Sequence, residues 1–183
     1  MLPDNPNKEN VYDKNKLNTI VLAGGCFWGT QAYISRLSGV AHTRCGYANG
    51  HTEFPNYESV CTGKTGHAEA VHVKYDPGLL PLNKLLHEYF KTINPTSLNR
   101  QGGDVGSQYR TGIYYVDEAD IPIINEVMDE KQRNTAKPIV TEVLPLSCFY
   151  DAEKYHQDYL EKNPNGYCHV NLNLLPREDR NEQ

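Results

Sequence analysis

Apolar residues follow two different periods along the chain and divide it into strands and helices. Residues 18–25 form a short apolar run that ends at two glycines, and residues 68–75 alternate between apolar and polar positions. Between residues 79 and 93, leucine and aromatic side chains instead recur at helical spacing and stop before Pro95. The pattern predicts strands at 18–25, 40–48, 68–75, 111–117 and 138–146, and helices at 26–40, 79–93, 120–134 and 151–163.

This order contains two β-α-β units, which favours an α+β fold of the ferredoxin-like, two-layer sandwich type, with helices packed on one face of a mixed sheet. We expect residues 1–17 to form a polar arm, 18–163 a single α+β domain, and 164–183 a coil segment. The turn-rich stretch 49–66 carries no predicted element. The glycine-punctuated stretch 94–110 is too long for a simple turn and is therefore a candidate functional loop.

The net charge and the first residues of the sequence indicate which partners and which location to expect. The 183 residues carry 18 basic and 23 acidic side chains, a formal net charge of −5, without a Lys/Arg run, which argues against nucleic acid or an anionic membrane as a partner. The first residues lack the basic flank and apolar stretch of a signal peptide, and no apolar run approaches the roughly 20 residues of a membrane span. We therefore expect a cytoplasmic location and a small or peptidic substrate.

Five cysteines are widely spaced and include no CxxC pair, so a secreted disulfide framework is not expected and some thiols should be free, buried or catalytic. Cys61, His67 and His72 have irregular spacing, and Cys168 and His169 are direct neighbours, so the sequence predicts no metal site. No cofactor is expected either.

Cys26 lies in the segment "GGCFWG", at the junction between the first strand and the first helix. A thiolate at a helix N-terminus is favoured by the helix dipole and by free backbone N–H groups, and the flanking glycines permit close approach of a substrate. The alternative is a small buried core cysteine. Phe27 and Trp28 are either core aromatics or the walls of a pocket for an apolar group such as a methyl.

Glu69 falls on the apolar face of the strand at 68–75. Desolvation there raises the pKa of a carboxyl and favours its neutral, proton-donating form, as a general acid requires. The alternative is a strand-end glutamate that reaches solvent or pairs with Arg110.

Four segments in this order, "GGCFWG", "PNYESVCTGKTGHAEAV", "NRQGGDVGSQYR" and "NPNGYC", strongly resemble the peptide methionine sulfoxide reductase A family. The resemblance covers roughly residues 18 to 170. It implies that Cys26 is the catalytic nucleophile, that Phe27 and Trp28 cage the substrate methyl, and that Glu69 donates the proton.

The resemblance further implies that Tyr57 and Tyr109 hydrogen-bond the sulfoxide oxygen and that Asp104 helps to fix the site. Cys168, in a glycine-bearing coil where we expect a mobile thiol, matches a position that family members use for a resolving cysteine. The implied reaction reduces the S epimer of methionine sulfoxide, free or in proteins, through a Cys26 sulfenic acid and a Cys26–Cys168 disulfide. Thioredoxin or a similar dithiol is the implied reductant of a monomeric repair enzyme, and fusion to a second reductase is familiar in the family.

Two other functions remain open at this level. Another cysteine enzyme, such as an acyl or thiol transferase, would want a histidine base near Cys26, and "GGCFWG" contains none. A non-catalytic binder of methionine peptides would use the aromatic residues alone.

Overall fold

The structure is a computed structural model and describes residues 2–180. Its eight strands within that range are β1 (Asn18–Ala23), β2 (Val40–Ala48), β3 (Ala68–Tyr75), β4 (Arg100–Gln101), β5 (Asp104–Val105), β6 (Gly112–Tyr115), β7 (Glu142–Pro145) and β8 (Phe149–Asp151). Its five α-helices are α1 (Phe27–Ile34), α2 (Tyr57–Cys61), α3 (Leu82–Lys91), α4 (Ile121–Arg133) and α5 (Tyr159–Lys162). None of these helices is long and apolar enough to cross a membrane.

Six strands form one sheet in the order β7-β6-β1-β3-β2-β8, and β4 pairs with β5 in a separate two-stranded ladder. Only β6 and β7 run parallel, so the sheet is mixed. The four central strands place β3 between β1 and β2, and β1 between β6 and β3, which is the split β-α-β arrangement of a ferredoxin-like fold. The predicted fold class is confirmed, and β7 and β8 extend the sheet at its two edges.

The core lies between the sheet and the helices. Leu85, Leu86 and Tyr89 of the amphipathic helix α3 are fully buried in one cluster with Val71 and Val73 of β3. A smaller cluster on the opposite face contains alanines of β1, β2 and β3 together with Tyr114, and Leu146 and Phe149 pack against it. Helices therefore cover one face of the sheet.

The predicted last helix, 151–163, is wrong. The chain instead forms β8, a 3-10 turn at Lys154–His156 and the short helix α5, because Asp158 adopts a left-handed conformation with φ of 51°. The side-chain amide of Gln157 accepts a hydrogen bond from the backbone N–H of Cys45 and donates one to its carbonyl, at 2.8 Å each. These two bonds replace those that a neighbouring strand would make with β2 at this position. This tertiary pairing outweighs the helical periodicity.

Other boundaries also differ from the predictions. The stretch 49–66 contains α2, whose start is fixed by a capping box between Asn56 and Ser59. The helix predicted at 26–40 ends at Ile34, and the strand predicted at 138–146 is limited to Glu142–Pro145. Residues 164–180 contain only 3-10 turns and coil.

Candidate active site

Cys26 is the N-cap of α1 and lies at the end of the tight turn that leaves β1. Gly25 makes this turn possible: its φ is +77°, and a Cβ at this position would stand 2.7 Å from Cβ of Gln101. The Thr30 hydroxyl donates to the Gly24 carbonyl at 3.1 Å and closes the turn from inside the helix. The "GG" pair therefore both reverses the chain and lets the 94–110 loop pack directly on the backbone beside the thiol.

The sheet register brings Glu69 to this helix start. In the antiparallel pairing of β1 with β3, Ala23 lies opposite Ala70, so Glu69 is level with the turn that follows β1. Its side chain is 1 % exposed, and its Oε2 accepts the backbone N–H of Phe27 at 3.2 Å. Arg110 instead bonds Glu142, so the predicted alternative pairing with Glu69 is not found.

The electrostatics of the two groups are linked. Burial raises the pKa of Glu69 to about 8. The hydrogen bond from the Phe27 N–H lowers this pKa, and the charge of Asp104 raises it. Glu69 is therefore a neutral acid at pH 7. Burial and then the Glu69 charge raise the pKa of the Cys26 thiol, whereas the backbone N–H of Trp28 lowers it. Burial outweighs the helix dipole here, and the Cys26 thiol keeps its proton.

The 94–110 loop brings Asp104 and Tyr109 to the same place. The buried side chain of Gln101 stabilises the loop: it accepts a hydrogen bond from the Asn94 backbone N–H at 2.8 Å and donates one to the Asn94 carbonyl at 2.9 Å. Burial, then the charges of Glu69 and other neighbours including Asp104, raise the pKa of Tyr109. Its hydroxyl thus stays protonated and available as a donor beside the acid.

Tyr57 begins α2 on the other side of the site. Burial raises the pKa of its phenol, and the neighbouring thiol of the exposed Cys61 raises it further. The backbone N–H of Tyr57 donates to Glu153 Oε2 at 3.2 Å. Two protonated phenols, on Tyr57 and Tyr109, therefore accompany the buried carboxyl of Glu69.

Phe27 and Trp28 lie at different depths in the structure. Phe27 is 1 % exposed and belongs to the main core. Trp28 is partly buried and stacks on Tyr159, with ring centroids 3.7 Å apart and planes 10° apart. Its indole N–H donates to Nδ1 of His156 at 2.9 Å.

Sequence reasoning assigned no chemistry to His156, yet the structure places it at the centre of the aromatic group. Its side chain is 1 % exposed, and its ring lies 5.0 Å from Phe27 and 4.7 Å from Tyr57, centroid to centroid. Glu153, which sequence reasoning did not single out either, accepts bonds from the hydroxyls of Tyr47 and Tyr155 besides the Tyr57 amide. Only the break in the predicted last helix brings these side chains to the site, so no sequence period could indicate them.

The C-terminal coil completes the surroundings of Cys26. The Tyr167 hydroxyl donates to Asp104 at 3.0 Å. Cys168, expected to be a mobile thiol, is instead partly buried, and its Sγ lies 3.2 Å from the carbonyl of Val170, to which it donates. The neighbouring His169 bonds the Gly24 carbonyl, so a histidine does lie beside the Cys26 turn, contrary to expectation.

The arrangement combines a thiol, a neutral buried acid, two phenol donors and a second thiol, all suited to reduction at a sulfur–oxygen bond. Among residues 2–180, no group of three His, Cys, Asp or Glu side chains is placed to hold a metal ion.

Comparison with known proteins identifies the family. The family model for peptide methionine sulfoxide reductase matches residues 18–183. Peptide methionine sulfoxide reductase MsrA from Clostridium botulinum (strain Okra / Type B1) is 56% identical over 156 residues, which are 85% of this chain and 99% of that protein.

Two solved structures are similar as well. Mxr1 from Saccharomyces cerevisiae in its reduced form superimposes with a TM-score of 0.81 and 38% identity, covering 88% of this chain and 93% of that one. Mxr1 in complex with Trx2 gives a TM-score of 0.59 and 28% identity, covering 83% and 91%. The chain belongs to the peptide methionine sulfoxide reductase family.

Proposed function

We propose that this protein reduces the S epimer of methionine sulfoxide at Cys26, with Glu69 as the proton donor. The observation that carries the assignment is the pairing of these two groups at the start of α1, where the buried carboxyl has a pKa of about 8 beside a thiol. The protein is accordingly an oxidoreductase that acts on methionine sulfoxide.

In the first step, the Cys26 sulfur attacks the sulfoxide sulfur while Glu69 protonates the sulfoxide oxygen. The oxygen would otherwise be too basic to leave the methionine sulfur. The phenols of Tyr57 and Tyr109 donate to the same oxygen, and Asp104 helps to fix the site. The S–O bond to the methionine sulfur breaks as the hydroxyl passes to the Cys26 sulfur, methionine departs, and the thiol proton of Cys26 returns Glu69 to its neutral form, which leaves Cys26 as a sulfenic acid.

The substrate methyl packs against Trp28 and Phe27. Trp28 is held on one side by the ring of Tyr159 and at its N–H by His156, so its orientation is fixed before the substrate arrives. Because Phe27 is nearly inaccessible, Trp28 supplies most of the apolar contact.

In the second step, Cys168 condenses with the sulfenic acid to give a Cys26–Cys168 disulfide, which thioredoxin or a similar dithiol reduces. The complex of the similar yeast protein Mxr1 with Trx2 supports this choice of reductant. We further propose a monomer in a reducing cytoplasm, with residues 18–163 as the catalytic unit and 164–183 as the segment that carries the resolving thiol. All five cysteines are free thiols in the structure.

The test uses purified protein, dithiothreitol and the two separated epimers of methionine sulfoxide, with methionine measured by mass spectrometry. Conversion of the S epimer alone is expected, and Cys26→Ser should abolish it. Failure to convert the S epimer, or equal conversion of both, rejects the assignment. Tight sulfoxide binding without any redox change at Cys26 would indicate the methionine-peptide binder instead.

A further inference from the structure

His169 occupies a position that the proposed reaction leaves unused. Its Nε2 lies 3.0 Å from the carbonyl oxygen of Gly24, and a carbonyl only accepts, so Nε2 carries the ring proton. In the neutral ring, Nδ1 then has a free lone pair. This nitrogen is buried and has no hydrogen-bond partner among the residues that the structure describes. A buried, unpaired base requires an explanation.

The lone pair of His169 and the thiol of Cys168 share one small space above Gly29. A Cβ built on Gly29 would stand 3.1 Å from Cys168 Sγ and 3.4 Å from His169 Nδ1. Because Gly29 has no side chain, the sulfur, the ring nitrogen and a methyl group of Val170 all pack closely over the same point in the first turn of α1.

The Cys168 thiol needs a proton acceptor in order to react. Burial raises its pKa, against the Val170 hydrogen bond and the charge of Arg36, which lower it. Its present partner, the Val170 carbonyl, cannot take up a proton. The imidazole of His169 can take up this proton because the ring is neutral at pH 7. Burial lowers its pKa, whereas the Gly24 bond and the charge of Asp104 raise it.

We infer that His169 is the general base for the resolving step and accepts the Cys168 proton at Nδ1. The inference rests on the proposed Cys26–Cys168 disulfide. Rotation of the Cys168 side chain exchanges the Val170 carbonyl for Nδ1 and turns the sulfur towards the Cys26 turn, which the bond from Nε2 to Gly24 holds in place.

The step is balanced without an outside oxidant. The thiol of Cys168 gives its proton to Nδ1, and its sulfur forms the S–S bond with Cys26. The S–O bond of the Cys26 sulfenic acid breaks, and the leaving hydroxide takes the proton back from Nδ1 to become water. Cys168 is oxidised and the sulfenic sulfur is reduced.

The experiment follows a single turnover without reductant in wild type, His169→Gln and the control His42→Gln, whose histidine is exposed on β2. The glutamine Nε2 can still donate to Gly24, but no base replaces Nδ1. Rapidly quenched samples are assayed for methionine, for sulfenic acid trapped by dimedone, and for disulfide by thiol alkylation and intact mass.

At pH 7, we expect His169→Gln to form the disulfide about 100-fold more slowly than wild type and to accumulate sulfenic acid, within the usual contribution of a general base. Between pH 7 and 9 its rate should rise about tenfold per unit with the Cys168 thiolate fraction, whereas the wild-type rate stays flat. His42→Gln should match wild type.

Equal disulfide rates in His169→Gln and wild type at pH 7 would overturn the inference. A deficit that is the same at every pH would also overturn it, since it would mean a structural role alone. The pH dependence of the wild-type disulfide rate tests the inference even if the variant does not fold, because a tenfold rise of that rate per pH unit would exclude a general base. Absence of the methionine burst from wild type would instead reject the proposed function.

Discussion

The indole N–H of Trp28 donates a 2.9 Å hydrogen bond to Nδ1 of His156. This bond fixes the tautomer of a buried imidazole, with the proton on Nε2, which lies 3.9 Å from a carboxylate oxygen of Glu153. Burial lowers the pKa of His156, and so the ring remains neutral and able to accept. A chain of contacts thus runs from Glu153 to the aromatic wall of the site.

His156→Leu should raise KM for methionine sulfoxide about 10-fold, because it leaves the Trp28 N–H without its acceptor at a cost of about 1–3 kcal/mol. His156→Asn, whose Oδ1 can accept the same bond, should recover most of the loss. Trp28 is the chain's single tryptophan, so its fluorescence measures the change in its environment directly. Equal KM values for the leucine variant and wild type would contradict the positioning role.

Glu69→Gln should lower the rate of the chemical step by at least about 100-fold, since the amide cannot donate a proton to the leaving oxygen. In wild type the active acid is the protonated form, so the alkaline limb of kcat/KM should fall as pH rises through about 8, and the variant should lack that limb. Asp120→Asn, remote in the chain from these motifs, is the control. A rate for Glu69→Gln close to wild type would remove Glu69 from the mechanism.

The same carboxyl makes the stability of the fold depend on pH. Burial raises the pKa of Glu69 in the folded state from 4.5 to about 8, so between these values the folded chain holds a proton that the unfolded chain has released. This contribution to stability is complete below pH 4.5 and is lost as pH rises through 8. The difference in unfolding free energy between Glu69→Gln and wild type, measured by urea titration, should therefore shift in favour of the variant from pH 5 to 8; a constant difference would contradict the raised pKa.

Cys168→Ser should still form about one methionine per Cys26 but lose turnover supported by thioredoxin, because the sulfenic acid has no resolving thiol. Mass spectrometry after one pulse of substrate measures both quantities. Undiminished cycling would transfer the role to the exposed Cys61, which neighbours the site through Tyr57. Cys45→Ser is the control: Cys45 is fully buried, so this variant should keep thioredoxin-supported turnover as long as it folds.

Glu153→Gln should destabilise the protein by about 1–3 kcal/mol, because one of the two carboxylate oxygens, each of which accepts a hydrogen bond, becomes an amide that can only donate. Thermal unfolding measures this, with Glu126→Gln on the exposed face of α4 as the control. Unchanged stability would mean that Glu153 does not hold α2 to the sheet.

Much of the site can be predicted from the sequence because it depends on residues that are close together in the chain. The glycines before Cys26 predict a strand-to-helix turn, and the alternation of β3 places Glu69 on the core face, where the structure also finds it buried. By contrast, the left-handed Asp158 and the Gln157–Cys45 pairing leave no periodic signal, and a helix was predicted across them.

The sequence by itself determined the two β-α-β units, the position of the thiol at a helix start and the isolation of one carboxyl on an apolar strand face, since hydrophobic period and turn chemistry act between near neighbours. Only the tertiary structure decided which groups surround them. The strand register sets Glu69 beside Phe27, the broken last helix sets His156 under Trp28, and the coil after Gly166 lays Cys168 and His169 over Gly29. These contacts join residues between 42 and 140 positions apart, and their geometry follows from packing of the whole chain rather than from any local preference.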